Sequence, residues 1–270
     1  MKFKFIIFVV LVFKAHVSAY GFSKKPNLIQ EKKQTQTPSV IQSKVDLIDE
    51  FKIKLKDDNF QKSLKKVLKE QDKFSDQAVI NAFSFLDNYA DDITKADSIC
   101  LSSDNRRNRL KIRNRNCLVV ADYSKTKKKP RLLFINPTSG ESELFYTAHG
   151  KGSHNTDEIE TGELAKRFSN KSGSNMTSLG FYLTDFLYTS KKDTFGPGPS
   201  NGLKLDGLNC SNNNAKKRYI VMHTADYVPS LKAGSKEIGN SEGCVTFPEK
   251  RSDVLKKCRQ GALVYAFYEQ

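Results

Sequence analysis

The stretch that decides the fold begins at CLVVADY (Cys117–Tyr123) and runs through LLFI (Leu132–Ile135) to LFYTA (Leu144–Ala148). Turn-forming residues, Lys125–Pro130 and Pro137–Gly140, separate the three apolar runs. Short β-branched and aromatic segments at this spacing predict an antiparallel meander. RYIVM (Arg218–Met222) and LVYAFY (Leu263–Tyr268) predict two further strands. The expected fold is therefore mainly β with accessory helices, and residues 115–270 form one domain of ordinary size. No internal repeat is present.

Upstream of the meander the texture changes. Residues 44–114 read as a basic helical region. Phe60, Leu64, Val67 and Leu68 recur at helical spacing, with Lys65, Lys66 and Lys69 between them. This predicts a solvated helix docked by one narrow apolar face. Ser75 is a good N-cap for a second helix that buries Val79, Ala82, Phe83 and Leu86. The run Asn105–Arg115 carries six lysines and arginines. It reads equally as a solvated turn or as a contact for an acidic polymer.

Residues 20–43 are polar, with Pro26 and Pro38, and are expected to be a flexible linker. Ahead of them, Ile6–Phe13 is a continuous apolar run flanked by Lys2, Lys4 and Lys14, and Val17-Ser18-Ala19 offers a small-residue cleavage site. This is the pattern of a secretory signal, residues 1–19, and the run is too short to span a bilayer. Export to the periplasm or cell envelope, or beyond, is expected, with no stable membrane span.

The 270-residue chain holds 45 Lys+Arg against 30 Asp+Glu, a net charge of +15. Removing the signal takes three lysines with it and leaves 15 − 3 = +12. An anionic partner is expected, and export directs that expectation to a wall polymer rather than to nucleic acid. The absence of a G-x-x-x-x-G-K-[ST] loop argues against a P-loop nucleotide enzyme. The cysteines are Cys100, Cys117, Cys210, Cys244 and Cys258, with no C-x-x-C pair. An odd count in an exported chain marks one candidate reactive thiol.

The thiol best placed for chemistry is Cys244, which directly follows Ser241-Glu242-Gly243. His223 closes a hydrophobic strand, and seventeen residues separate it from Ser241. A thiolate is a strong nucleophile, and a nearby imidazole can draw a cysteine pKa from about 8.5 towards neutrality. The same imidazole can hand a proton to a leaving amine. Gly243, lacking a side chain, lets the backbone approach a scissile carbonyl, and the Gly243–Cys244 N–H groups are placed to hold an oxyanion. Ser241 is expected to orient the imidazole.

His223 through Cys244 resembles the signature of the L,D-transpeptidase (YkuD) catalytic domain, and further stretches resemble its type-two branch. These are Tyr146–Gly150, Phe168–Asn170, Ser178–Tyr182, Leu203–Leu208, Asn213–Arg218 and Ile220–Val228. The resemblance covers about residues 115–270. It implies a mixed sheet folded as a sandwich or flattened barrel, and an exported enzyme acting on peptidoglycan stem peptides. Cys244 would attack the amide before the terminal D-Ala of a tetrapeptide, and an acceptor amine would then complete a 3-3 cross-link. Water as acceptor would give an L,D-carboxypeptidase or endopeptidase instead. A non-catalytic wall-binding module on the same fold is the alternative from another class. The resemblance implies no metal or organic cofactor. Three positions depart from the pattern: Glu242 stands where His is common, Val245 where Pro is usual, and Phe195–Ser200 replaces a glycine-rich segment.

With Cys244 free, the other cysteines allow three pairings, and Cys100–Cys117 with Cys210–Cys258 is the expected one. His149, Gly150, Asn175, Ser178, Asn214 and Glu242 are the candidate substrate contacts. His149, His154 and His223 lack ligand spacing, so no metal site is expected.

Overall fold

The computed structural model describes residues 53–100, 111–154, 163–190, 200–233 and 238–269. The expected signal and linker, the first residues of the basic helical region, residues 105–110 of the basic run and residues 195–199 lie outside the described residues.

Helix α1 spans Asp58–Glu70 and helix α2 spans Asp76–Tyr89. Asp57 caps α1 by accepting from the Asn59 and Phe60 N–H groups, and Ser75 caps α2 by accepting from Ala78 N–H. Each cap satisfies donors that a helix leaves open at its first turn. The expected apolar positions of both helices are buried. Among the described residues no helix is long and apolar enough to cross a membrane.

Among the described residues eight strands follow: β1 Asn114–Asp122, β2 Leu132–Ile135, β3 Ser142–Phe145, β4 Gly180–Ser190, β5 Ser200–Gly207, β6 Val221–Ala225, β7 Val245–Pro248 and β8 Ala262–Phe267. Helix α3, Ser252–Lys257, joins the last two. The sheet order is β3-β2-β1-β8-β4-β5-β6-β7. β1, β2 and β3 form the expected antiparallel meander. The pairs β1–β8 and β6–β7 are parallel, so the sheet is mixed. Its two edges approach each other: Thr147 Oγ1 lies 3.1 Å from Thr246 Oγ1, and Ala148 N–H donates to Thr246 Oγ1 at 2.9 Å. The result is a nearly closed, barrel-like sheet.

Side chains alternate across a strand, and the two faces feed two cores. One face takes Leu118, Val120, Phe181 and Tyr265 against α1 and α2. There Phe85 stacks on Phe181 at 4.0 Å, and Phe181 stacks on Tyr265 at 4.1 Å. The other face buries Val119, Leu205, Met222, Val245 and Phe247 inside the barrel.

The disulfides correct the expected pairing. Cys100 joins Cys210, and Cys117 joins Cys258; neither Cys100–Cys117 nor Cys210–Cys258 forms. The reason is topological. The segment around Ile99 bridges Asn209, which sets Cys100 beside the exit of β5. Cys258 stands just ahead of β8, the parallel neighbour of β1, which carries Cys117.

Candidate active site

Met222 and Val245 are partners across β6–β7, and both side chains enter the barrel core. Alternation then sends His223 and Thr246, also partners, to the opposite face. Extending the same register sets Cys244 beside Val221 on that face. Cys244 is the one free cysteine, and it is buried.

Burial decides the charge states. Desolvation pushes the Cys244 thiol up to about 11, while the Val221 N–H at its sulfur works the other way. Desolvation pushes His223 down to about 4, opposed by its bond to Thr224. Near neutral pH Cys244 is therefore a thiol and His223 a neutral imidazole. His223 Nδ1 lies 2.8 Å from the Thr224 carbonyl oxygen. A carbonyl only accepts, so Nδ1 carries the hydrogen and Nε2 is the basic nitrogen.

This geometry corrects the role expected of Ser241. Its hydroxyl donates to the Cys244 carbonyl at 2.9 Å and accepts from Gly243 N–H at 3.1 Å. A serine hydroxyl readily closes a local turn in this way. Ser241 thus shapes the turn that carries Cys244, and the Thr224 carbonyl orients the imidazole. No sequence signal could have found it, because every residue has a carbonyl. Gly243 N–H, expected to help hold an oxyanion, is thus engaged by the Ser241 hydroxyl.

Gly243 is required by its surroundings. Its φ is +112°, and a Cβ there would lie 2.5 Å from the Met176 carbonyl oxygen. Arg218 braces the same spot. It donates to the carbonyl oxygens of Met176 at 2.6 Å and Ser169 at 2.8 Å, and to Ser178 Oγ at 3.1 Å. Arg218 also lowers the Cys244 pKa through its charge.

The candidate contacts take distinct places. Gly150 pairs with Ser241 across an isolated bridge, and Ser241 N–H donates to the His149 carbonyl at 2.9 Å. His149 is buried, and its Nδ1 sits 2.9 Å from the Arg131 guanidinium. Arginine only donates, so His149 carries its hydrogen on Nε2. Asn175 adopts φ +53°, and its carbonyl accepts from Gly152 N–H. Ser178 bonds Tyr182 and Arg218, and Asn214 is tied to Asn170. These two therefore build the framework that holds Arg218. Glu242 is exposed and pairs with Lys151 at 2.6 Å, while its charge nudges the thiol pKa upward. Arg131, fully buried and bonded to the Thr147 and Lys125 carbonyls, is a site-side residue that the sequence reading missed.

One consequence is measurable. The folded pKa of His223 is depressed, so the neutral imidazole contributes stability that is present above the unfolded value of 6.5 and lost as pH falls through about 4. The full contribution is about 3 kcal/mol. Thermal melts should show Tm falling between pH 6.5 and 4. His223→Asn should flatten that fall; an unchanged slope would count against the buried imidazole as its source.

Comparison with solved structures gives matches of low identity. Bd1075 of Bdellovibrio bacteriovorus is 11% identical, with TM-score 0.34, over 57% of this chain and 48% of that one. The helical cell shape determining protein Pgp2 of Campylobacter jejuni is 12% identical, with TM-score 0.32, over 57% and 48%. L,D-transpeptidase 3 of Mycobacterium tuberculosis, solved with a faropenem-derived adduct, is 16% identical, with TM-score 0.29, over 56% and 60%. The aligned part spans about half the length of the first two structures. No curated protein matches the chain. The family profile for the L,D-transpeptidase catalytic domain matches residues 93–267, starting upstream of the boundary expected at 115. That match covers more than half of the sequence, and the chain belongs to the L,D-transpeptidase catalytic domain family of cell-wall enzymes.

Proposed function

We propose that the protein is an exported peptidoglycan L,D-transpeptidase with Cys244 as nucleophile and His223 as acid–base. The observation that carries this reading is one free, buried thiol on the same face of the β6–β7 pair as a buried imidazole, His223, in a chain whose other four cysteines are all in disulfides. His223 Nε2 takes the thiol proton as sulfur attacks the carbonyl carbon between the third stem residue and D-Ala. The Cys244 N–H steadies the oxyanion, a contact worth about 3 kcal/mol. The imidazolium then protonates the amine of D-Ala, which leaves, and a thioester remains. An acceptor amine attacks the thioester, its proton passes to His223, and the thiol is restored. Starting from a neutral pair suits this cycle, because charge develops only while the substrate covers the site.

The test is mass analysis of products from a purified disaccharide-tetrapeptide. Cross-linked dimer with released D-Ala supports the transpeptidase. Tripeptide alone would reassign the enzyme as a carboxypeptidase. An unchanged substrate, together with no acyl adduct from a carbapenem, would point to a binding module.

A further inference from the structure

A second site lies away from Cys244. A groove of about 840 Å³ runs between the starts of β1 and β8, the middle of β4, the end of β5 and α3. Eight lysines and arginines line it, against two carboxylates, Asp185 and Asp206. Both carboxylates pair with Lys216, at 3.2 and 3.3 Å. Arg113, Lys217, Lys256 and Arg259 are exposed and have no ion-pair partner among the described residues.

These like charges are held together. The Cys117–Cys258 disulfide joins the strand carrying Arg115 to the turn carrying Arg259. Asn114 Nδ2 donates to the Lys257 and Arg259 carbonyls at 2.8 and 3.0 Å. Mutual repulsion opposes that arrangement, and a bound polyanion relieves it. One further feature points to a ligand. Phe186, 67% exposed, stands at the groove where β4 shifts register. An exposed ring offers a face to a sugar, and spaced cations suit carboxylates spaced along a chain.

We infer that this groove is a second binding site for a glycan strand whose stem peptides carry free carboxylates, holding the polymer while Cys244 works. The polymer's identity rests on the function proposed above; the groove does not. One loop serves both places: Lys216 and Lys217 line the groove, and Arg218 braces the Cys244 turn.

The test is co-sedimentation of the full chain bearing Cys244→Ala with purified sacculi across a salt series. Adding Lys217→Gln, Lys256→Gln and Arg259→Gln should weaken binding about tenfold at low salt and flatten its salt dependence. In the otherwise wild-type chain, the same three changes should leave carbapenem acylation of Cys244 unaltered. Should the triple variant misfold, Lys217→Gln alone carries the test, with about a twofold loss. Sacculus binding unchanged by these variants would overturn the proposal, as would tighter retention of a DNA duplex than of sacculi. Groove-dependent binding without any acyl adduct would leave this inference standing and sink the nucleophile assignment alone.

Discussion

Cys244→Ala is expected to abolish acyl transfer, lowering turnover of the tetrapeptide by at least about 10⁴-fold, because no other group in the site can form the thioester. Intact mass after brief incubation with a carbapenem should show one drug-sized adduct on the wild type and none on the variant. The fold should survive, since alanine removes one buried sulfur whose thiol is already held neutral. The same burial predicts a thiol slow towards simple alkylating agents. With its pKa pushed up to about 11, iodoacetamide labelling at pH 7 should be slow and rise about tenfold per pH unit below that value. Rapid labelling at neutral pH would mean that His223 already holds the proton in the free enzyme. An adduct persisting on the alanine variant would place the nucleophile elsewhere.

The double variant Cys117→Ala/Cys258→Ala is expected to lose about 5 kcal/mol, the loop-closure entropy of a cross-link spanning 141 residues. The loss is large for a domain of ordinary stability. Denaturant melts of the oxidised wild type and the variant would measure it. This bond ties β1 to the turn ahead of β8, so its loss should also loosen the repelling cations there. Added salt should therefore recover part of the stability. A loss below about 1 kcal/mol would mean that strand pairing alone fixes this corner.

Much of the architecture was legible from local pattern. The meander from Cys117 to Phe145 has clear apolar runs and turn residues. Both helices show their apolar spacing, and the second also shows its cap, Ser75. β4 and β5 were hidden because Asp185 and Phe186 sit at a register shift that breaks the period of two, and β5 opens with polar Ser200 and Asn201. The disulfides were not legible because they depend on β1 and β8 being parallel neighbours, a contact between distant segments. At the site, residue types and spacing marked Cys244 and His223 as candidates, and Gly243 proved necessary for the turn. The Ser241 role was misread because a hydroxyl has many partners within reach, and the nearest backbone won. Arg131 escaped notice because one arginine in a basic chain carries no signal until it is seen to be buried.

The threonine contact between the sheet's edges has a further meaning. A barrel closed by a continuous ladder has no preferred place to open, whereas this one has a seam. Thr147 and Thr246 fasten it through hydroxyls, each such bond contributing about 1 kcal/mol net. Thr246 lies two residues beyond Cys244, on the last stave of the sheet. The line along which the cylinder closes thus runs beside the one free thiol, so a local opening there would expose Cys244 while the hydrophobic interior stays shut.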